Sequence, residues 1–266
     1  MAEENEIAEV VQRPPAMPKV NAIGFADLAD ALRKGLSDFT SAPLFGLFFG
    51  GVYALGGIVI ALSLTVWDIP WMIYPVAIGF PLIGPFIAVG LYEVSRRLQS
   101  GKSLAWRDIL GVVWLQRQRE LGWMAFVMLF VFWVWMYQVR LLVAIILSRS
   151  SFSTLDRFLQ VVFTTPQGWT FLAVGHVVGA VLALVLFSIT VISIPLLLDR
   201  EADFVTAMIT SVKSVTTNPV PMLGWGVFVT LAVIVSSAPL FLGLLVTLPV
   251  LGHATWHLYR KAVSPA

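Results

Sequence analysis

The chain contains no cysteine in its 266 residues. That excludes disulfides, thiolate metal sites, iron–sulfur clusters and a thiol nucleophile. Charge is scarce as well. Only 12% of residues are Asp, Glu, Lys or Arg, against about 25% in soluble domains, whose wet surface needs them. The formal net charge of +2 is too small to point to nucleic acid. Also absent are a Gly-rich phosphate loop, an HExxH pair and a Gly-x-Ser-x-Gly elbow. No apolar segment occurs in the opening residues, so no secretory signal is expected. Ionisable groups are missing from the middle of every apolar run, which removes the usual basis for a proton or ion pathway.

What the chain has instead is apolar length. Hydrophobic residues make up 58% of it, in runs of about twenty, the hydrocarbon thickness divided by the helical rise. Six spans are expected: Leu44 to Val66, Met72 to Tyr92, Leu121 to Val139, Trp169 to Leu198, Met222 to Ser236 and Leu240 to Tyr259. The first carries Gly46-x-x-x-Gly50, a spacing that lets helix backbones approach closely in lipid. Packing within the chain accounts for it better than a dimer face. The second span holds Pro75, Pro81 and Pro85, so it should kink or break. Arg140 follows the third span, either snorkelling from a helix that continues or marking its end. Pro195 should interrupt the fourth span.

Between the spans the sequence turns amphipathic. Phe25, Leu28, Leu32, Leu36 and Phe39 form one helical stripe, with Asp27, Asp30, Arg33, Lys34 and Asp38 on the rest. Such a helix, placed directly before a span, should lie in the headgroup plane. Similar stripes follow at Trp106 to Trp114, at Phe152 to Val162 and at Phe204 to Val215.

Laid on Ala26 to Val59 at a constant offset, Ala202 to Val235 returns the same residue at ten of thirty-four positions, including Ala26/Ala202, Asp27/Asp203, Thr40/Thr216 and Pro43/Pro219. Each copy reads as surface helix, proline, span, second span and a basic pair, Arg96-Arg97 or Arg260-Lys261. The sequence therefore predicts an all-α polytopic membrane bundle of six transmembrane helices with interfacial helices and an internal hairpin repeat. Residues 1–21 are expected as a disordered cytoplasmic tail and 22–262 as one transmembrane domain. The repeat units are 26–97 and 202–261, with a divergent middle unit over 104–198. Basic residues fall fourteen on one side and three (Arg140, Arg149, Arg157) on the other. That bias puts both termini in the cytoplasm.

His176, His253 and His257 are the only histidines. His253 and His257 lie four apart on one helix face. Imidazole suits haem or metal, but these three are expected at different depths and without polar surroundings. No catalytic, cofactor-binding or metal-ligating residue is assigned, and no enzymatic activity is expected.

The Pro-rich second span ending in Tyr92-Glu93-x-Ser95-Arg96-Arg97, and Ile194-Pro195-Leu196-Leu197-Leu198-Asp199 before Ala202-Asp203-Phe204, resemble an uncharacterised family of predicted integral membrane proteins. That family is mostly proteobacterial, and some of its members carry the label putative cytochrome c oxidase subunit I. The likeness runs over about Val20 to Ala262. It implies a bacterial inner-membrane protein and no catalytic role: the catalytic subunit of a haem-copper oxidase uses six histidines, and this chain has three. What the label can imply is an accessory subunit. The expected partners are the lipid bilayer and other membrane subunits, with no nucleic acid. A transporter or lipid-handling protein is the alternative.

Overall fold

A computed structural model describes residues 17–67, 73–117, 120–148 and 155–264. Most of the expected tail, the aromatic turn after the first span and part of the loop around Ser151 lie outside these residues. The described residues are helical apart from short connections and one isolated bridge. In order the helices are α1 (Phe25–Ser41), α2 (Pro43–Thr65), α3 (Ile73–Gln99), α4 (Trp106–Arg117), α5 (Glu120–Ile146), α6 (Leu155–Thr164), α7 (Pro166–Thr190), α8 (Ser193–Asp199), α9 (Phe204–Thr217), α10 (Pro219–Ser237) and α11 (Leu244–Ala262).

Proline sets the junctions. Ala42, Thr165 and Asn218 each precede a proline that occupies the first helical position of α2, α7 and α10. Clash with the proline ring drives the preceding residue out of the α region, while the fixed φ of proline suits a helix start. Ala42 (φ −137°, ψ 52°) and Asn218 (φ −127°, ψ 56°) adopt nearly the same conformation at equivalent places of the two aligned stretches. α1 opens at Gly24, whose backbone N–H donates to Asp27 Oδ2 at 3.0 Å. α9 opens at Asp203, whose side chain accepts the Thr206 N–H at 2.8 Å.

Among the described residues four helices are long and apolar enough to cross a membrane: Pro43–Ser63, Glu120–Ile146, Pro166–Asp199 and Pro219–Ser237. α5 continues unbroken through Arg140 to Ile146, so the helix does not stop at the arginine. α3 also runs unbroken past Pro75, Pro81 and Pro85, so of the kink or break expected there the break does not occur. The fourth run does divide, at Val191–Ile192. Pro195 cannot donate to Val191 and crowds its carbonyl, and the Ile192 N–H donates to Ser211 Oγ at 3.1 Å instead.

The packing is centred on α11, which lies against α1, α2 and α3. Gly35 of α1 sits so close that a Cβ there would come within 2.6 Å of Ala254 N and 2.7 Å of Val250 O. Gly46 and Gly50 meet Pro249 of the same helix. The Gly-x-x-x-Gly face thus packs inside the chain, as expected. Residues 19–21, before α1, meet residues 262–264 at the end of α11. Val20 bridges Val263 antiparallel, Asn21 N donates to Ala262 O at 2.8 Å, and Ser264 N donates to Lys19 O at 3.0 Å. Asn218 closes the join, accepting from Ile23 N and donating to Asn21 O. The last residues of the expected tail, Val20 and Asn21, are therefore bonded to the C-terminus.

Candidate functional site

Polar side chains gather at one end of the bundle, where α3 and α11 finish and α1 ends. α3 and α11 carry two matched pairs, each one helical turn apart. Ser95 Oγ lies 2.8 Å from His253 Nδ1 and Gln99 Nε2 lies 2.9 Å from His257 Nδ1. Both helices run toward the same end, so a four-residue step on one meets a four-residue step on the other. Gln99 also accepts from Trp256 Nε1 through its Oε1 at 3.0 Å. Its amide nitrogen must then donate to His257 Nδ1, which leaves the ring proton on Nε2, 2.8 Å from Asp38 Oδ2. Three helices are tied by one imidazole.

A second group lies beside it. Glu93 is 1% exposed, and its two oxygens take Arg96 Nε at 2.7 Å and Arg97 Nε at 2.8 Å. Arg97 extends to Asp108 of α4 and to the Ser103 carbonyl, each at 3.0 Å. Asp199 of α8 accepts from Tyr259 at 2.7 Å and from Arg260 at 2.9 Å. The ends of α3, α8 and α11 and the face of α4 enclose a polar cavity of about 390 Å³. Further round, Lys261 binds Asp27 and Asp30 of α1 at 3.0 and 3.1 Å. Asp27 is held below the ordinary carboxylate value by the Gly24 N–H and then by Lys261. Asp30 is held well below it by Lys34, then Arg33 and Lys261.

Of the three histidines, two meet in this layer and one does not. His176 is exposed on α7, with Nδ1 against the Leu172 carbonyl of its own helix at 2.7 Å. His253 is fully buried, and its Nε2 has no hydrogen-bond partner among the described residues. The expectation that the histidines lack polar surroundings fails for His253 and His257. Ser95, Gln99 and Asp38 come from other helices, so the pairing depended on helix register. Glu93 pairs with Arg96 and Arg97 of its own helix, a contact that their i, i+3, i+4 spacing allows. Thr190 and Thr230 bond back to their own helices, Ser193 Oγ donates to the Ile189 carbonyl of α7, and Ser236 and Thr247 join α10 to α11 at 2.6 Å. Among the described residues no group of three or more His, Asp or Glu side chains is placed to hold a metal ion.

Residues 72–199, the stretch holding α3 to α8, match the model of a family described as predicted integral membrane protein (DUF2189). Over those residues the chain is similar to this family of membrane proteins. No curated protein and no solved structure matches the chain. The family stretch supplies Glu93, Arg96, Arg97 and Asp199 to the polar cavity. Trp256 and Arg260 come from beyond it, as do Asp38, His253 and His257. The polar layer therefore needs the flanking hairpins as much as the family stretch.

Proposed function

We propose that this is a six-span bacterial inner-membrane protein without catalytic activity, an accessory or assembly subunit of a larger membrane complex such as a respiratory oxidase. α3 and α11 complete the six crossings. The inner third of α11 is polar because it carries the layer just described. Asp38, in the last turn of α1 ahead of α2, and Gln99, at the end of α3, both bind His257. If α2 crosses the bilayer, α3 must bring the chain back. Asn218, directly before α10, holds the strand that pairs with Ala262 at the end of α11. The same argument makes α11 return. The pairing of residues 19–21 with 262–264 fits an even number of crossings between them, and the bias of basic residues favours the cytoplasm for that side. The same ordering supports a repeat of three units, since α4 packs on α3, α9 on α7 and α8, and α1 on α11. Each surface helix thus lies on the closing helix of another unit.

The observation that carries the accessory role is the outer face of α5. Trp123, Phe126, Phe130, Trp133, Tyr137 and Leu141 repeat at helical spacing along it, each at least half exposed. Aromatic belts belong at the two interfaces. Trp133 stands at the midpoint of Glu120–Ile146, about 20 Å from either end at the helical rise. An aromatic row running through mid-bilayer fits a partner transmembrane helix. Native purification with mass spectrometry of co-eluting chains tests this, with photocrosslinkers placed at Phe130 and Trp133. A stoichiometric membrane protein crosslinked at both sites is the expected result. Crosslinks to lipid alone at both would overturn the reading.

A lipid-handling role is the second reading, and the groove between α5 and α7 favours it. This groove has a volume of about 750 Å³, with Phe132, Trp135, Gly175 and Gly179 among its walls and His176 as its one ionisable group. Such a surface suits an acyl chain and not a polar solute. Retention of one extra lipid per protein, lost on Gly179→Phe, would establish it over the accessory role.

A further inference from the structure

We propose that the polar cavity at the inner ends of α3, α8 and α11 is a binding site for a phosphate-bearing anion. Four cations line it, Arg96, Arg97, Lys102 and Arg260, against two acids, Glu93 and Asp199. The acids are already spoken for. Glu93 is buried between Arg96 and Arg97, and Asp199 takes Arg260 together with the Tyr259 hydroxyl. Counting Asp108, which binds Arg97 from α4, the group still holds one positive charge in excess. Donors are left over as well. Arg96 binds Glu93 through Nε and Nη2, and Arg260 binds Asp199 through Nη1. The remaining guanidinium N–H groups of both have no hydrogen-bond partner among the described residues, and each side chain is about two-fifths exposed.

Lys102 is placed by the backbone. Gly101 has φ +64°, and two hydrogen bonds close the end of α3: Lys102 N to Arg97 O at 3.0 Å and Gly101 N to Leu98 O at 3.3 Å. This is the Schellman ending of a helix, which only a residue tolerant of positive φ accepts cheaply. It fixes Lys102 at the cavity wall, where the ammonium makes no ion pair among the described residues. Fixed guanidinium forks beside a mobile ammonium are the donor set that binds phosphate oxygens, the first for bidentate geometry and the second as a point charge. Trp256 contributes an apolar wall.

The cavity lies at the end of the bundle where the membrane surface should be, so the phosphate can come from an anionic phospholipid headgroup or from a soluble anion. The site does not depend on which partner covers α5. The test uses full-length protein in nanodiscs of phosphatidylcholine, with and without phosphatidylglycerol, read by native mass spectrometry of the released particle. Inorganic phosphate is titrated in parallel by calorimetry.

One phosphatidylglycerol retained per protein places the source in the lipid; saturable phosphate binding in the neutral nanodisc places it in solution. Either ligand should bind at least about tenfold more weakly in Lys102→Gln/Arg260→Gln, the loss expected for charge-assisted contacts. Lys102→Glu is the second variant. Lys102 is exposed and makes no ion pair among the described residues, so reversing its charge tests the site without challenging the fold. Arg33→Gln, altered outside the lining of the cavity, should bind as wild type. Binding of neither ligand, or equal binding in wild type and Lys102→Glu, would overturn the assignment.

Discussion

α11 and α5 lie in one bundle and are treated in opposite ways. α11 buries ten of its nineteen residues, including His253, His257 and Trp256. α5 is longer and more apolar, yet only Leu121, Met124, Ala125 and Leu142 of its twenty-seven residues are buried. In water the apolar helix would sit inside. In a bilayer, lipid tails solvate Leu and Phe as well as protein does, so hydrophobicity does not choose the central helix. Close approach and hydrogen bonding do. α11 offers Gly252 and Ala254 to its neighbours, and polar groups that lipid cannot satisfy. α5 offers aromatic bulk to whatever lies outside.

The comparison breaks most easily at Glu93. Glu93→Ala leaves Arg96 and Arg97 without the carboxylate that joins them, and should destabilise the detergent-solubilised protein by about 2–3 kcal/mol, the loss of charge-assisted hydrogen bonds to a buried carboxylate. Thermal unfolding followed by circular dichroism measures it. An unchanged midpoint would mean that the polar layer is incidental.

Close approach comes next. Gly35→Leu pushes a side chain against the Val250 and Ala254 backbone and should cost about 1–3 kcal/mol by overpacking. Cysteines introduced at Leu32 and Leu258 would report a widened α1–α11 contact by spin-label distance. A wild-type distance with wild-type stability would deny that this glycine sets the packing.

The ionic contact between the same helices should respond to acid. Asp27 and Asp30 are held below their ordinary value of 3.8 by their partners. A carboxyl held low stabilises the folded state above its unfolded value and loses that contribution as pH falls. The α1–α11 contact should therefore be level near neutrality and weaken as pH falls below about 3.8. Lys261→Met should flatten part of that profile, because Lys261 is a partner of both acids. The same spin labels give the reading, and an acid response identical in the variant would exclude the lysine as its cause.

Ser95→Ala removes one rung between α3 and α11. Hydrogen bonds between membrane helices average about 0.6 kcal/mol, and a shift of that size is expected by unfolding in a mild detergent. At the far end of the scale, Trp133→Ala on α5 should change stability by less than about 0.5 kcal/mol while removing the co-purifying partner. A large loss of stability would show that Trp133 packs inside the chain.

Much of this was legible in the residues. Pro43, Pro166 and Pro219 start helices because a pyrrolidine ring is indifferent to context. The stripe from Phe25 to Phe39 makes a helix because its period is 3.6. Glu93 finds Arg96 and Arg97 because all three share one helix at i, i+3 and i+4. α3 does not break at its prolines, because proline in a long apolar helix is tolerated when neighbouring helices and local adjustment satisfy the freed groups. The histidines were misjudged for a different reason. His253 meets Ser95, and His257 meets Gln99 and Asp38, across 158 and 219 positions of sequence.

Membrane residence, helical class and the helix starts were thus decided by local chemistry, since backbone groups in lipid must bond within their own segment. Which helix is central, which glycine faces touch and where the unused cations converge were decided only by the tertiary structure. Those outcomes depend on the register between helices, and nothing in one helix states the register of the next.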